Sequence, residues 1–246
     1  VGDVSGDTDT QARIVRRLER ISTLRRTADD TDPVERVIVA NATQLAVVTA
    51  AADPEPRTGL IDRALVAALD AGIRPMLIVT KTDLRSPDAL LALYGPLDLD
   101  VIAIAHKQVP DALRRALEGQ ETVLVGHSGV GKSTLVNGLV PDAGRETGRV
   151  NSVTGRGRHT STSVVALHLP GGGMIVDTPG IRSFGLAHVD LARVIHAFPD
   201  LEERTGDCPR ACSHDEEDCG LNGIDADRDP ALVLRRDSLR RLIRSR

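Results

Sequence analysis

The chain has 246 residues, 41% hydrophobic and 27% charged, enough to bury one sizeable core and ordinary for a soluble globular protein. Its only aromatic residues are Tyr94, Phe184 and Phe198, so the core must be built from Val, Leu, Ile and Ala, and nucleic-acid contacts through rows of stacked rings are excluded. The net charge is −4, and no run of 18 apolar residues exists, which excludes a membrane-spanning helix.

The first residues, Val1-Gly2-Asp3-Val4-Ser5-Gly6-Asp7, lack the basic start and apolar stretch of a secretory signal, and a cytoplasmic protein is expected. Residues 11–26 alternate apolar and basic positions, with six Arg against Glu19. Together with Asp29-Asp30-Thr31-Asp32-Pro33 they predict two small strands and a turn, too little for an independent domain. From residue 37 a βα rhythm sets in. It predicts a strand over 44–50, an amphipathic helix over 58–71 stopped by Gly72, a strand over 75–80 and a short helix over 87–93. A strand over 100–105 and a helix over 110–118 follow, then an apolar strand over 121–125 that runs into a Gly-rich loop. Beyond it come a helix over 132–139, a polar Gly/Arg-rich stretch over 141–163, and strands over 164–169 and 173–177. Strands alternating with helices predict a mostly parallel sheet covered on both faces. The last sixty residues lose the rhythm. They predict a helix, an acidic cysteine-bearing loop within 200–219 and a basic helix from about residue 229, with seven Arg in 228–246. The two basic segments are expected to flank one RNA-facing surface.

Gly126-His127-Ser128-Gly129-Val130-Gly131-Lys132-Ser133, followed by Thr134, fits G-x-x-x-x-G-K-[ST] between a strand and a helix, which is the context a P-loop requires. Its glycines let backbone N–H groups face phosphates, with the helix N-terminus adding favourable potential. Lys132 is expected to reach the β- and γ-phosphates and Ser133 to ligate Mg²⁺. Only Lys81, Lys107 and Lys132 occur against 28 arginines, and two of these lysines stand in nucleotide motifs. Asp177-Thr178-Pro179-Gly180 ends an apolar strand as D-x-x-G; Asp177 can hold Mg²⁺ through water, and the Gly180 N–H can sense a γ-phosphate. Thr80-Lys81-Thr82-Asp83 resembles the guanine-reading N/T-K-x-D element, in which a carboxylate accepts two guanine N–H groups that adenine lacks. Ala105-His106-Lys107 stands where a second base-contacting loop belongs, with the Ala105 N–H directed at guanine O6. Gly157-Arg158-His159-Thr160-Ser161-Thr162 occupies the position of a first switch loop, with Thr160, or Thr162 in reserve, completing the Mg²⁺ shell. Ile181 follows D-x-x-G and cannot position water, so His159 is the candidate catalytic side chain beside Lys132.

The order of these elements is base loop, second base loop, P-loop, switch, D-x-x-G, a rotation of the order in a Ras-like domain. Joining old termini and opening new ones needs only that the termini lie close together. Cys208-x3-Cys212-x-His214-x4-Cys219 holds every cysteine of the chain and makes a closed Cys₃His set, which predicts one structural Zn²⁺ per chain.

This combination resembles the bacterial ribosome small-subunit-dependent GTPase A family. The resemblance runs from Val34–Ala42 through G-H-S-G-V-G-K-S-T at 126–134, G-R-G-R-H-T-S-T at 155–162 and D-T-P-G-I-R-S-F at 177–184 to the Cys₃His loop. It implies an α/β fold in three parts: a partial OB-fold remnant over 1–35, a circularly permuted Ras-like P-loop GTPase domain over 36–187, and a helical zinc-binding domain over 188–246. It further implies a monomer that binds GTP and GDP, uses Mg²⁺, and contacts the small ribosomal subunit and its rRNA. Its role would be hydrolysis of GTP in late subunit maturation, stimulated by the subunit. Residues 1–35 match only the last strands of the family's five-stranded OB-fold, and each metal-binding loop is one residue shorter than the family's C-x4-C-x-H-x5-C. The competing readings are a nucleotide-gated ribosome-binding module with negligible turnover, and a generic P-loop ATPase or kinase.

Overall fold

The computed structural model describes residues 2–5, 13–144, 164–181 and 183–245. The chain opens with β1 (Gly2–Ser5) antiparallel to β2 (Arg13–Arg17), then β3 (Thr23–Arg26) antiparallel to β4 (Arg36–Ala40). A division at residue 35 therefore falls inside the β3–β4 pair, whose partners the alternation of residues 11–26 did not reveal.

The βα rhythm is realised as β5 (Gln44–Ala50), α1 (Thr58–Asp70), β6 (Arg74–Thr80), α2 (Asp88–Tyr94), β7 (Asp100–Ala103), α3 (Asp111–Leu117), β8 (Glu121–Val125) and α4 (Lys132–Leu139). β9 (Val165–His168) and β10 (Met174–Asp177) follow. Gly72 ends α1 as the sequence requires. At φ +65° it takes the left-handed conformation, its N–H bonds the Leu69 carbonyl, and the Ile73 N–H closes on Ala68 at 2.8 Å. This is the paired 5→2 and 6→1 closure that a glycine cap allows.

The six strands form one sheet in the order β7-β6-β5-β8-β10-β9, parallel except for β9. Alternate residues of β5 face opposite layers. Leu45 and Val47 join a core with α1 and Tyr94, whereas Ala46, Val48 and Ala50 pack with Leu113 and Leu117 of α3 and Leu135 and Leu139 of α4. All seven residues of β5 are buried, as a central strand covered on both faces must be. Because β5, β6, β7, β8 and β10 are parallel, the loops after them emerge on the same edge of the sheet. Those loops carry the nucleotide motifs.

The C-terminal segment has a short 3₁₀ stretch (Leu191–Ala197), α5 (Pro199–Glu202), a second 3₁₀ turn (Gly220–Gly223) and α6 (Pro230–Ile243). It has no separate core: Phe198, Leu201, Leu221, Leu239 and Leu242 lie in the same cluster as Leu65 and Leu77. Among the described residues no helix is long and apolar enough to cross a membrane.

The arginines of the C-terminal helix have partners within the chain. Arg235 pairs with Asp200 and lies 5.3 Å over the Phe198 ring, and Arg241 pairs with buried Asp62, bonds the Leu93 carbonyl and lies 4.8 Å over Tyr94. Arg236 reaches Asp237 and Leu221 O, Arg240 the His214 carbonyl and Asn222, and Arg244 Asp215. A guanidinium has five donors in a fixed fork, and acids and carbonyls around the helix take up several of them. Two acids of the loop at 200–219, Asp200 and Asp215, pair with arginines of this segment.

Candidate functional site

The P-loop is built by β8 and α4. Val125 ends the strand, Gly129 and Gly131 take φ of +85° and +95°, and α4 opens at Lys132. Gly126 has no room for a side chain, since a Cβ there would lie 2.3 Å from the Val48 carbonyl oxygen of β5. His127 Nδ1 lies 2.8 Å from Ser128 O. Val130 packs in the core, and Ser133 and Thr134 are half-buried in the first turn of α4. Lys132 is buried, and its ammonium donates to the Gly126 carbonyl at 3.0 Å. Burial brings the Lys132 pKa down to about 8, against the opposing attraction of Asp177.

Asp177 is held beside this loop by strand register: β10 runs parallel to β8 with Asp177 opposite Leu124. Asp177 is 1% exposed. Thr178 donates to Leu124 O at 2.7 Å, and the Ile181 N–H bonds Gly126 O at 3.0 Å, so D-x-x-G lies directly across the P-loop. Gly180 fits against Ser128, where an added Cβ would come within 3.1 Å of the Ser128 nitrogen. Ile181 turns its side chain into the core, as its chemistry predicts.

The base-reading element is joined to the P-loop by a threonine. The Thr80 hydroxyl lies 2.6 Å from the Val130 carbonyl and 3.1 Å from that of Thr49. With one proton to donate, it serves the nearer acceptor, linking the end of β6 to the phosphate loop. Lys81 takes φ +57° and donates to the Asp53 carbonyl. Asp83 Oδ1 accepts from the His106 N–H at 2.9 Å, which brings residues 80–83 and 105–107 together. That bond holds the Asp83 carboxyl below the usual carboxylate range, with His106 Nδ1 3.9 Å from Oδ2. Ala105 follows Ile104, whose N–H bonds Val79 O at 2.7 Å. His159 and Thr160 lie outside the described residues, as does the rest of 145–163.

Beyond D-x-x-G the chain is clamped to the N-terminal segment. Gly185 and Thr27 form an antiparallel bridge, with N–H to O distances of 3.1 and 3.2 Å. The Leu186 N–H bonds Asp30 Oδ1 at 2.9 Å, the Ala187 N–H bonds Thr27 Oγ1 at 3.3 Å, and Arg63 of α1 holds both Asp30 and the Phe184 carbonyl. A Cβ on Gly185 would lie 2.3 Å from Thr27 Oγ1 and 2.4 Å from Asp29 O, a backbone collision that no rotamer relieves. Gly185→Ala is therefore expected to destabilise the chain by about 2–3 kcal/mol, a fall of about 5–10 °C in thermal midpoint by scanning calorimetry. An unchanged midpoint would show that the contact is absent in solution.

The four metal-ligating candidates converge. One donor atom each from Cys208, Cys212, His214 and Cys219 lies within 4.8 Å of the others. Cys208 Sγ is 3.8 Å from His214 Nδ1 and 3.9 Å from Cys219 Sγ. Tetrahedral Zn–S bonds of about 2.3 Å place ligand sulfurs about 3.8 Å apart, so the donor set fits zinc in both chemistry and spacing. Glu216 shapes the loop by accepting from Ser213 N and Oγ and from Asp215 N. These bonds, led by the Ser213 N–H, bring its pKa down to about 2.

Sequence reasoning missed the partners of Thr80, the Asp53 carbonyl and the Arg63–Asp30 pair. One signal was present for α6: Asp62 stands on the apolar face of α1 beside Ile61 and Leu65, where a lone carboxylate needs a cation.

The family described as RsgA GTPase matches residues 17–187. The protein named small ribosomal subunit biogenesis GTPase RsgA in Pseudomonas fluorescens strain SBW25 is 41% identical over 213 residues, covering 83% of this chain and 61% of the relative. Its namesake in Pseudomonas aeruginosa strain LESB58 is 42% identical over 213 residues, with 83% and 62% covered. The chain thus spans about three fifths of the length of these curated relatives. Among solved structures, YjeQ from Thermotoga maritima superposes with a TM-score of 0.70 at 24% identity, covering 98% of this chain and 81% of that one. YloQ, described as a circularly permuted GTPase, superposes at 0.66 with 25% identity, covering 98% and 77%. The rotated motif order, the single edge on which the motif loops meet, and this matching span give one conclusion: the chain belongs to the RsgA GTPase family.

Proposed function

We propose that the chain binds GTP and hydrolyses it to GDP and phosphate in late maturation of the small ribosomal subunit, with turnover stimulated by that subunit. The observation that carries this reading is the convergence of P-loop, D-x-x-G and both base loops on one sheet edge, tied together by Thr80–Val130, Ile181–Gly126 and Asp83–His106. The relatives' name, small ribosomal subunit biogenesis GTPase, supplies the subunit. In this reading the backbone from Gly126 to Gly131 cradles the phosphates and Lys132 neutralises the β- and γ-oxygens. Ser133 and Asp177 are the residues that would hold Mg²⁺, with Thr160 as a third; when bound, the ion neutralises charge on the β- and γ-phosphates. Gly180 reports the γ-phosphate, and His159 orients the attacking water, since Ile181 is committed to the core. Cys208, Cys212, His214 and Cys219 hold one structural Zn²⁺. The protein acts as a monomer in the cytoplasm, contacting rRNA of the subunit.

The experiment is GTP turnover measured with and without purified small ribosomal subunits. Stimulation is expected; equal rates would leave a GTP-binding protein with no subunit-dependent hydrolysis. Base choice has its own test. An amide reverses one donor–acceptor pairing with guanine, so Asp83→Asn is expected to shift preference from GTP toward xanthosine triphosphate by about 10²-fold or more. Unchanged selectivity would remove Thr80–Asp83 from the base site.

A further inference from the structure

We propose that Arg240 of α6 is a positioning residue for the metal site, fixing His214 as a ligand and fastening the metal loop to the nucleotide-binding part of the chain. The inference rests on the zinc reading above.

The loop cannot hold its shape by backbone preference alone. His214 sits at φ +71° and Ala211 at φ +61°, a left-handed conformation that residues with a Cβ adopt at a cost. The His214 ring is nevertheless buried with Nδ1 toward Cys208. Its carbonyl oxygen accepts from Arg240 Nε at 2.9 Å. The same guanidinium reaches forward past the last ligand: Arg240 Nη2 donates to Asn222 Oδ1 at 2.7 Å, and Asn222 Nδ2 donates to the carbonyls of Glu217 at 2.8 Å and Glu216 at 3.2 Å. One planar fork thus fixes the loop on both sides of Cys219, a geometry that a lysine could not reproduce.

Arg236 and Arg244 stand four residues before and after Arg240, on the same helix face. They add weaker ties, Arg236 to Leu221 O at 3.4 Å and Arg244 to Asp215 at 2.8 Å. Other residues of α6 are seated on the nucleotide domain: Leu239 and Leu242 are fully buried, and Arg241 pairs with Asp62 of α1. The helix is therefore a connector between the Cys₃His loop and the layer that covers β5 and β6. Partners outside the ligand set orient metal-binding residues, and their loss commonly weakens metal affinity by about 10–100-fold. Here the orientation acts through the backbone of the histidine.

The test uses the full chain. Zinc affinity is measured by chelator competition, and the metal is replaced by Co²⁺ to read the ligand field. Arg240→Gln is expected to weaken zinc by about 10–100-fold and to move the Co²⁺ absorption away from that of an S₃N donor set. Arg240→Lys keeps the charge and the stem but lacks the Nε–H, so the same loss is expected even if the glutamine variant fails to fold. Arg244→Gln, which cuts an exposed pair, is expected to change affinity less than threefold. Binding of a non-hydrolysable GTP analogue should stay within twofold for all three. Equal zinc affinity and an unchanged Co²⁺ spectrum in Arg240→Lys would overturn the positioning role while leaving the zinc site standing. A wild-type chain that takes up no stoichiometric metal would overturn the zinc reading and this role with it.

Discussion

Lys132→Met is expected to lower GTP affinity by about 10²–10³-fold and, at the same time, to raise the thermal midpoint of the nucleotide-free chain by about 3–8 °C. The two effects share one cause. The Lys132 ammonium is buried at the foot of the P-loop, and its pKa falls from 10.5 to about 8, the Asp177 attraction already included. A shift of that size corresponds to a penalty of about 3 kcal/mol for keeping the charge in the folded, nucleotide-free state. Methionine has a similar volume and no charge to desolvate, so the empty site becomes more stable as it loses function. The penalty is fully present below pH 8 and is relieved as pH rises toward 10.5, because the unfolded chain then binds the proton that the folded chain has released. Nucleotide binding has the opposite slope. Phosphate oxygens favour the ammonium, so above pH 8 the complex must take up a proton, and affinity falls as pH climbs. Titration calorimetry at pH 8.5 in two buffers of different ionisation enthalpy reads that uptake directly. A methionine variant that melts lower, or binding with no proton uptake, would contradict the account.

Removal of the metal, or Cys219→Ser, is expected to lower the thermal midpoint by about 10 °C or more while leaving GTP affinity within a few-fold. Cys219 is 2% exposed and lies in the main core cluster, close in the chain to Leu221, which is fully buried. Without the tetrahedral tie, the left-handed turn at His214 loses its enthalpic support, and a buried hydroxyl replaces a ligand sulfur. Hydrogen exchange should therefore rise first over residues 205–225 and then along α6, whose Arg236, Arg240 and Arg244 bond that loop. The P-loop and α4, whose apolar residues pack in the layer opposite α6, should keep their protection in the presence of nucleotide. Exchange that rises uniformly over β5, β6 and β8 would mean that the metal supports the whole fold rather than one unit. Stoichiometric zinc in freshly purified protein is the precondition of the measurement, and its absence would remove the site.

The nucleotide motifs and the candidate metal ligands were legible because each is a contiguous piece of chain with its own backbone logic. A strand, glycines and a helix N-terminus make the P-loop wherever they occur in that order, and D-x-x-G or T-K-x-D needs only the end of a parallel strand. The apolar run of β5 and the glycine stop of α1 at Gly72 were equally local, and the central strands fell where the apolar runs placed them. The sequence also determined the permuted order, since motif order is a property of the chain alone. What only tertiary structure decided was which distant groups satisfy one another. Thr80 finds Val130, Asp30 finds Arg63 and Leu186, Arg241 finds Asp62 and Arg240 finds His214 across 26 to 179 positions, with no periodicity to announce them. The Arg-rich C-terminal helix shows the limit most clearly. Charge composition counts its guanidiniums, and only the tertiary structure shows which acids and carbonyls lie within their reach.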